Sequence, residues 1–289
     1  MTNRFAFAAL ALCFSSSLVA QAQAQGRPIG LADRKGGRDH ALELDFDWSS
    51  VGDEVTYTTL LPTLYGSFGL TDKLEFEVTL PLVFVDISPE EGEGDSTFMF
   101  ANPYVALFYA SRTARSVARI GVGVGLPLID LDMPEDFGEA IAASAAYGTR
   151  GLRDAWLYFP DTMSLVLPAQ VQMRSSLLVI GIDGALGVLL ATDSEVRDDD
   201  VEVALDLGAM VGVALDDITL GMRLQMGGLL TEDGDTVQVS VLPFIQADLD
   251  GGGFFHGGLL VNLDKPLGVI ANEDDSELWA IRLGGGARF

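Results

Sequence analysis

Alternation with a period of two residues runs through almost the whole chain, in segments long enough to cross a bilayer. In Ile218–Leu230, for instance, Ile218, Leu220, Met222, Leu224 and Met226 share one face while Thr219, Arg223 and Gln225 share the other. In Val201–Leu215, Val201, Val203, Leu205, Leu207, Ala209, Val211 and Val213 oppose Glu202, Asp206 and small residues. The same rhythm marks Ala41–Trp48, Thr58–Leu70, Lys73–Val85, Thr97–Ala110, Val117–Ile129, Thr162–Arg174, Leu177–Leu190, Val237–Leu249, Phe254–Leu263 and Glu277–Phe289. That makes about twelve strands, most of them near the ~10 residues that a tilted membrane strand requires.

A soluble sandwich alternates too, so the period alone does not decide the architecture. The charge and hydropathy do more. The chain has a formal net charge of −25, yet its mean hydropathy is +0.30. Such a combination implies segregation, with apolar faces turned to lipid and acids gathered in connections. Beyond the amino-terminal region no stretch reaches the ~18 consecutive apolar residues of a membrane helix. Strands can then span only as a closed barrel, because hydrocarbon satisfies no backbone polar group. The connections agree: Thr71-Asp72, Ser111–Ser116, Ser175-Ser176, Asp216-Asp217 and Asp250–Gly253 are short, and the links between them are longer and acidic. Short turns on the periplasmic side and longer loops outside are the habit of membrane barrels. The predicted fold is all-β, a transmembrane antiparallel β-barrel of about 12 strands with one helical extracellular insertion.

The amino-terminal residues read as an export signal. Arg4 precedes the apolar run Phe5–Leu12, small residues follow, and Ala20-Gln21-Ala22 or Ala22-Gln23-Ala24 offers a cleavage site. The expected organisation is a signal peptide over 1–24, a periplasmic segment over 25–40 and the barrel over 41–289. Cys13 falls in the signal, so the mature chain has neither disulfide nor thiolate metal site. Losing Arg4 moves the charge from −25 to about −26, which excludes nucleic acid as a partner. The expected partners are outer-membrane lipid and lipopolysaccharide, the barrel-assembly machinery, and divalent cations at the acidic loops.

Those loops hold Asp53 and Glu54; Glu90, Glu91, Glu93 and Asp95; Asp193, Glu195, Asp198, Asp199 and Asp200; Glu232, Asp233 and Asp235; and Glu273, Asp274 and Asp275. Threading puts them all outside the cell, so the barrel should carry a negative mouth. Their spacing is not that of a calcium-binding loop, and solvated charge is the favoured reading. The connection Asp130–Asp161 is longer than the rest. Pro134, Glu135 and Asp136 suit a helix start, Ala140–Tyr147 its body, and Leu152–Tyr158 a second short helix before Pro160. A cap over the outer rim is the preferred placement; an inward fold that narrows the lumen and an interaction surface are the alternatives.

Candidate pore-lining residues are the inward charges Glu43, Asp45, Asp47, Glu75, Glu77, Arg119, Asp183, Asp206, Arg223 and Arg282, with Arg174, Asp248 and Arg288 on the same register. Buried charges need water or partners, so the lumen is either hydrated or cross-linked by ion pairs. Inward glycines, among them Gly121, Gly123, Gly181, Gly208, Gly284 and Gly286, favour open space inside. An acidic mouth would bias a pore toward cations. No catalytic residues, metal site or cofactor are expected. Both histidines, His40 and His256, thread to the periplasmic end, away from any serine at the outer rim, and His256 reads as an ordinary residue of the lumen rim. The non-conducting alternative is a structural or surface-interaction barrel.

Two resemblances accompany this reading. The last strand places Trp279, Ile281, Leu283 and Phe289 on one face and ends on an aromatic. It resembles the carboxy-terminal signature that the assembly machinery reads in bacterial outer-membrane barrels. The hairpin Leu61–Leu82, with Tyr65, the turn Gly69-Leu70-Thr71-Asp72 and the ending Leu80-Pro81, resembles one from a transporter-like barrel family named for the meta-pathway of phenol degradation. Gly123-Val124-Gly125-Leu126-Pro127-Leu128 is similar to a later segment of that family. The resemblance implies an outer-membrane transporter of small compounds and supplies no site residues.

Overall fold

The computed structural model describes residues 40–52, 55–89, 94–113, 115–131, 136–192, 201–231, 236–264, 267 and 278–289. Its strands are β1 (His40–Val51), β2 (Val55–Gly69), β3 (Leu74–Pro89), β4 (Asp95–Phe100), β5 (Tyr104–Arg112), β6 (Ser116–Gly125), β7 (Thr162–Arg174), β8 (Leu178–Ala191), β9 (Val201–Leu215), β10 (Ile218–Leu229), β11 (Val237–Asp248), β12 (Gly253–Asn262) and β13 (Trp279–Arg288). A helix, α1 (Phe137–Thr149), and one 3₁₀ turn at Ala155–Leu157 lie between β6 and β7.

Apart from β4 and β5, consecutive strands pair antiparallel, and β1 pairs with β13, closing the sheet. β4 and β5 both lie against β3 and together form a single stave, so the thirteen segments make a 12-strand barrel. Both ends of the described chain and the short turns after β2, β5, β7, β9 and β11 gather at one rim, the periplasmic one. There His40 and Phe289 exchange both backbone hydrogen bonds, at 2.9 and 3.1 Å.

The period-two pattern sorts the faces as expected. On β10 Leu220, Met222 and Leu224 are exposed while Thr219, Arg223 and Gln225 are buried, and β3 turns Glu75, Glu77 and Thr79 inward. Outward aromatics form girdles at both ends. Phe68, Phe76, Phe255 and Phe289 ring the periplasmic rim; Trp48, Trp279, Phe84 and Phe98 ring the other, with Trp48 edge-on to Trp279 at 5.6 Å. A closed all-β wall with an apolar outer belt and aromatic girdles is an outer-membrane barrel.

Two expected strands end early. Thr97–Ala110 breaks at residues 101–103, and Val117–Ile129 stops at Gly125. Pro103 and Pro127 cannot donate to a ladder. Asn102 supplies the missing bonds from its side chain: it accepts from the Leu128 and Ile129 amides at 2.8 and 3.0 Å and donates to the Phe159 carbonyl at 2.6 Å. The outer half of the wall between β4 and β7 is therefore closed by the two arms of the insertion. The first outer connection also departs from expectation. β1 and β2 are joined by residues 52–54 alone, so the alternation of short and long links begins only after that hairpin.

The insertion is not a cap: it folds into the barrel. α1 packs beside β1 to β4 with Ala142, Ala143, Ala146 and Thr149 buried, and Trp156, Leu157 and Tyr158 are buried in the same apolar cluster as inward-facing Leu61, Val83, Val85, Val166 and Leu189. The helix encloses the predicted Ala140–Tyr147 body; Pro134 and Glu135 lie outside the described residues. The second helix is reduced to a single turn, because Gly151, Leu152 and Asp154 hold φ of 69°, 55° and 56°. Left-handed backbone interrupts any helix through them, and for leucine it persists only where surroundings over-determine it.

Candidate functional site

The lumen is the candidate site, and most of its charged side chains come from the periplasmic and middle levels of the wall, with Glu202 near the outer end of β9 an exception. Along β3 the inward row changes from Glu75, Glu77 and Thr79 to Val83 and Val85 toward the outer rim. The apolar level receives the insertion, and the charged level lies beneath it. All ten candidate pore-lining residues face inward, and they fall into four groups.

The first group is centred on Asp47, fully buried on β1. Its carboxylate accepts from Arg282 of β13 and from Arg150, which follows α1. Arg150 also donates to the Tyr65 hydroxyl at 3.0 Å and to Asp154 at 2.7 Å. Beside it, Thr149 and Ser49 share a hydrogen bond of 2.7 Å. The end of the helix is thus fixed to β1 and β2.

The second group lies across the barrel. Asp183 of β8 pairs with Arg223 of β10, and Arg153 of the insertion approaches Asp183 at 3.4 Å and Asp206 of β9 at 3.7 Å. Arg153 also donates to Gln225 at 3.3 Å, and the Asp154 amide donates to Asp206 at 2.9 Å. Burial works against the charges of Arg150 and Arg153, but the surrounding carboxylates, with Tyr65 beside Arg150, keep both above the ordinary arginine value. Burial also pushes the Tyr158 hydroxyl upward, so it stays neutral. The insertion therefore reaches across the lumen as a bar, its turn at residues 150–154 pinned by Arg150 to β1 on one side and by Arg153 to β8 and β9 on the other.

The third group joins β3, β5 and β6. Glu75 pairs with Arg112 and, at 3.1 Å, with Arg119; Arg119 also pairs with Glu77 and lies over the Phe108 ring at 4.0 Å. The fourth holds Glu43 and Asp45 of β1 around His256 of β12, at 2.7 and 3.1 Å from its Nε2. His256 is thus a buried member of a cluster and not the rim residue expected from its position in sequence. Nearby, Arg288 pairs with Asp248 at 3.0 Å and lies over Phe254.

Inward glycines do not open the lumen. A Cβ at Gly123 would collide with the Tyr104 phenol, and one at Gly208 with the Arg223 guanidinium. These glycines are seats over which large side chains from neighbouring strands lie flat. A cavity of about 110 Å³ remains, bordered by β3 and by β5 to β10 and lined by Glu77, Arg119, Arg153, Trp156, Asp183 and Arg223 among others. Such a volume holds a few waters or a small ion and is below the ~300 Å³ of a drug-sized pocket.

Sequence reasoning missed Arg150 and Arg153 as lumen residues. A signal existed: Leu61, Val83, Val85, Val166 and Leu189 are apolar on the inward face of strands whose outward face is apolar too. A strand greasy on both faces inside a membrane barrel requires protein on its inner side. Of the acidic connections, only Asp95 is described, and it is exposed; Asp53, Glu54, Glu90, Glu91, Glu93, 193–200, 232–235 and 273–275 lie outside the described residues, as do 1–39 with the expected signal.

No protein-family model and no curated protein sequence matches the chain. Among solved structures, it is similar to an outer membrane channel from Pseudomonas putida F1, with a TM-score of 0.57, 13% identity, and coverage of 89% of this chain and 97% of that one. It is also similar to the β domain of the Bordetella autotransporter BrkA, with a TM-score of 0.49, 10% identity and coverage of 88% and 100%. The first similarity shows a common barrel fold; the second carries no argument.

Proposed function

We propose that this barrel is a passive outer-membrane channel for small solutes, narrowed by its own insertion and biased toward cations. The observation that carries the reading is the bar formed by residues 136–161, held across a charged lumen by Arg150 and Arg153. Wall side chains alone fill a barrel of about eight strands, and twelve leave more room inside; a separate, ionically pinned segment beside a cavity lined by charged residues is the arrangement of a constriction. Among the buried charged residues, carboxylates outnumber arginines, which favours cations near the path. Glu77, Asp183 and Asp206 border the cavity and would line that path, with the other inward charges fixing its walls. The barrel similar in fold from Pseudomonas putida is described as an outer membrane channel, which supports the same class.

Planar-bilayer recording of folded protein tests the proposal. Small steps with a cation-directed reversal potential are expected, and exchanging Arg150 and Arg153 together for Gln should enlarge them. Silence from both proteins, with folding confirmed by heat-modifiable gel migration, would favour the non-conducting barrel. An anion-directed potential would remove the cation bias and leave passage standing.

A further inference from the structure

We propose that Glu43, Asp45 and His256 form a binding site for one divalent transition-metal ion of the zinc class, inside the barrel toward its periplasmic end. Strand register builds the site. β13 lies between β1 and β12, and Gly284 is paired with Asp45 on one side and with His256 on the other, while Glu43 is paired with Gly286. Side chains two strands apart ordinarily stand ~10 Å from each other at their bases. With only glycine between them, they reach over β13 and meet. A Cβ at Gly284 would collide with both Asp45 Oδ1 and His256 Nε2.

One carboxylate oxygen from each acid and a ring nitrogen of His256 lie within 4.8 Å of one another, and all three residues are buried. Asp45, only 1% exposed, provides an independent sign. Its Oδ1 is aimed at His256 Nε2 from 3.1 Å yet has no hydrogen-bond donor among the described residues. A single N–H at Nε2 is directed to the nearer Glu43 oxygen at 2.7 Å and cannot serve both carboxylates. Buried carboxylate oxygens are rarely left without a partner. The nearby guanidiniums of Arg282 and Arg288 are engaged by Asp47 and Asp248. Two carboxylates thus converge on one imidazole in a buried place, and a divalent cation would accept a lone pair from each of the three.

The donor set selects the ion. Imidazole suits zinc and its neighbours, whereas calcium and magnesium prefer all-oxygen shells. One nitrogen and two carboxylate oxygens leave a fourth position for water from the lumen. Ligands ~2.1 Å from zinc in a tetrahedron stand about 3.4 Å apart, so the Glu43 oxygen, 2.7 Å from Nε2, needs to retreat by about 0.7 Å, within the freedom of its side chain. Bound metal would tie β1 to β12 across β13, next to the seam that closes the barrel, and would stabilise the folded state by mass action.

Full-length protein in detergent, equilibrated with zinc chloride and then desalted, should retain one zinc ion per folded chain. His256→Gln and Asp45→Asn should each abolish that retention and the zinc-dependent rise in Tm, while His40→Gln should keep both. Heat-modifiable migration verifies folding of every variant. Should the variants fail to fold, X-ray absorption of zinc-loaded wild type gives a second reading, with one imidazole nitrogen and carboxylate oxygens expected in the shell. The proposal is overturned if wild type retains no zinc, if His256→Gln retains as much, or if the shell holds no imidazole; the last two outcomes would place the ion in the acidic connections.

Discussion

The Arg150 guanidinium, carried inward by the end of α1, is buried against the Asp47 carboxylate of β1, 103 residues away in sequence. Asp47 holds Arg282 at the same time, so one carboxylate ties the insertion to the β1–β13 seam.

That shared carboxylate makes the two sides of the contact unequal. Asp47→Asn leaves two buried guanidiniums undercompensated and should cost ~3–5 kcal/mol. Arg150→Gln leaves Asp47 paired with Arg282 and should cost only ~1–3 kcal/mol. Denaturant unfolding in detergent ranks the two. Arg150→Gln should also loosen the insertion without opening the wall. In a Trp48→Phe/Trp279→Phe background the remaining Trp156 should then report a wetter environment while strand content stays constant. Equal losses for both variants would show that the carboxylate is not shared as described.

The seats under large side chains predict where glycine is required. Gly123→Val drives a branched side chain into the Tyr104 ring and should destabilise by ~1–3 kcal/mol, a typical cost of overpacking. Gly253→Ala is the contrast, because its new Cβ meets Leu249 at an ordinary 3.5 Å, and its effect should stay within ~0.5 kcal/mol. If the two substitutions cost the same, the interior glycines serve strand curvature rather than packing.

The wall of this barrel was legible in the sequence, whereas most of its contents were not. Period-two runs located every stave, because lipid on one side and polar groups on the other impose a pattern on each residue independently. The ten inward charges followed from the same register. Their partners did not: which acid meets Arg119 or Arg223 depends on strand stagger, and Arg150 and Arg153 sit in a connection with no period to read. The insertion's placement was decided by the apolar inward residues Val83, Val85 and Leu189, which exclude water from the outer half of the lumen and so draw Trp156 and Leu157 inside. Pro103 and Pro127 similarly announced a break, but only the Asn102 side chain shows how it is closed.

Asn102 should therefore behave as a latch. Asn102→Ala removes both acceptor bonds to the Leu128 and Ile129 amides and the donor bond to Phe159. Local opening of the seam between β4 and β7 should become easier by ~2 kcal/mol, about 30-fold faster amide exchange at Leu128 and Ile129. Amides in the β9–β10 ladder should exchange as before. Uniform acceleration across the barrel would indicate global destabilisation and not a local latch.

Phe289 separates stability from assembly. Its backbone closes the barrel with His40, and those bonds survive substitution of the side chain. The ring faces outward, 38% exposed and 5.8 Å from the His40 ring, so Phe289→Ala removes little buried area and should lower intrinsic stability by only ~1 kcal/mol. If Trp279, Ile281, Leu283 and Phe289 form a signal for the assembly machinery, the same change should cut the folded fraction in outer membranes severalfold while refolding in detergent proceeds at nearly wild-type yield. Comparing heat-modifiable protein from membranes and from detergent refolding distinguishes the cases. Parallel losses in both assays would assign the ring to stability, and no loss in either would leave the closing strand without a recognition role.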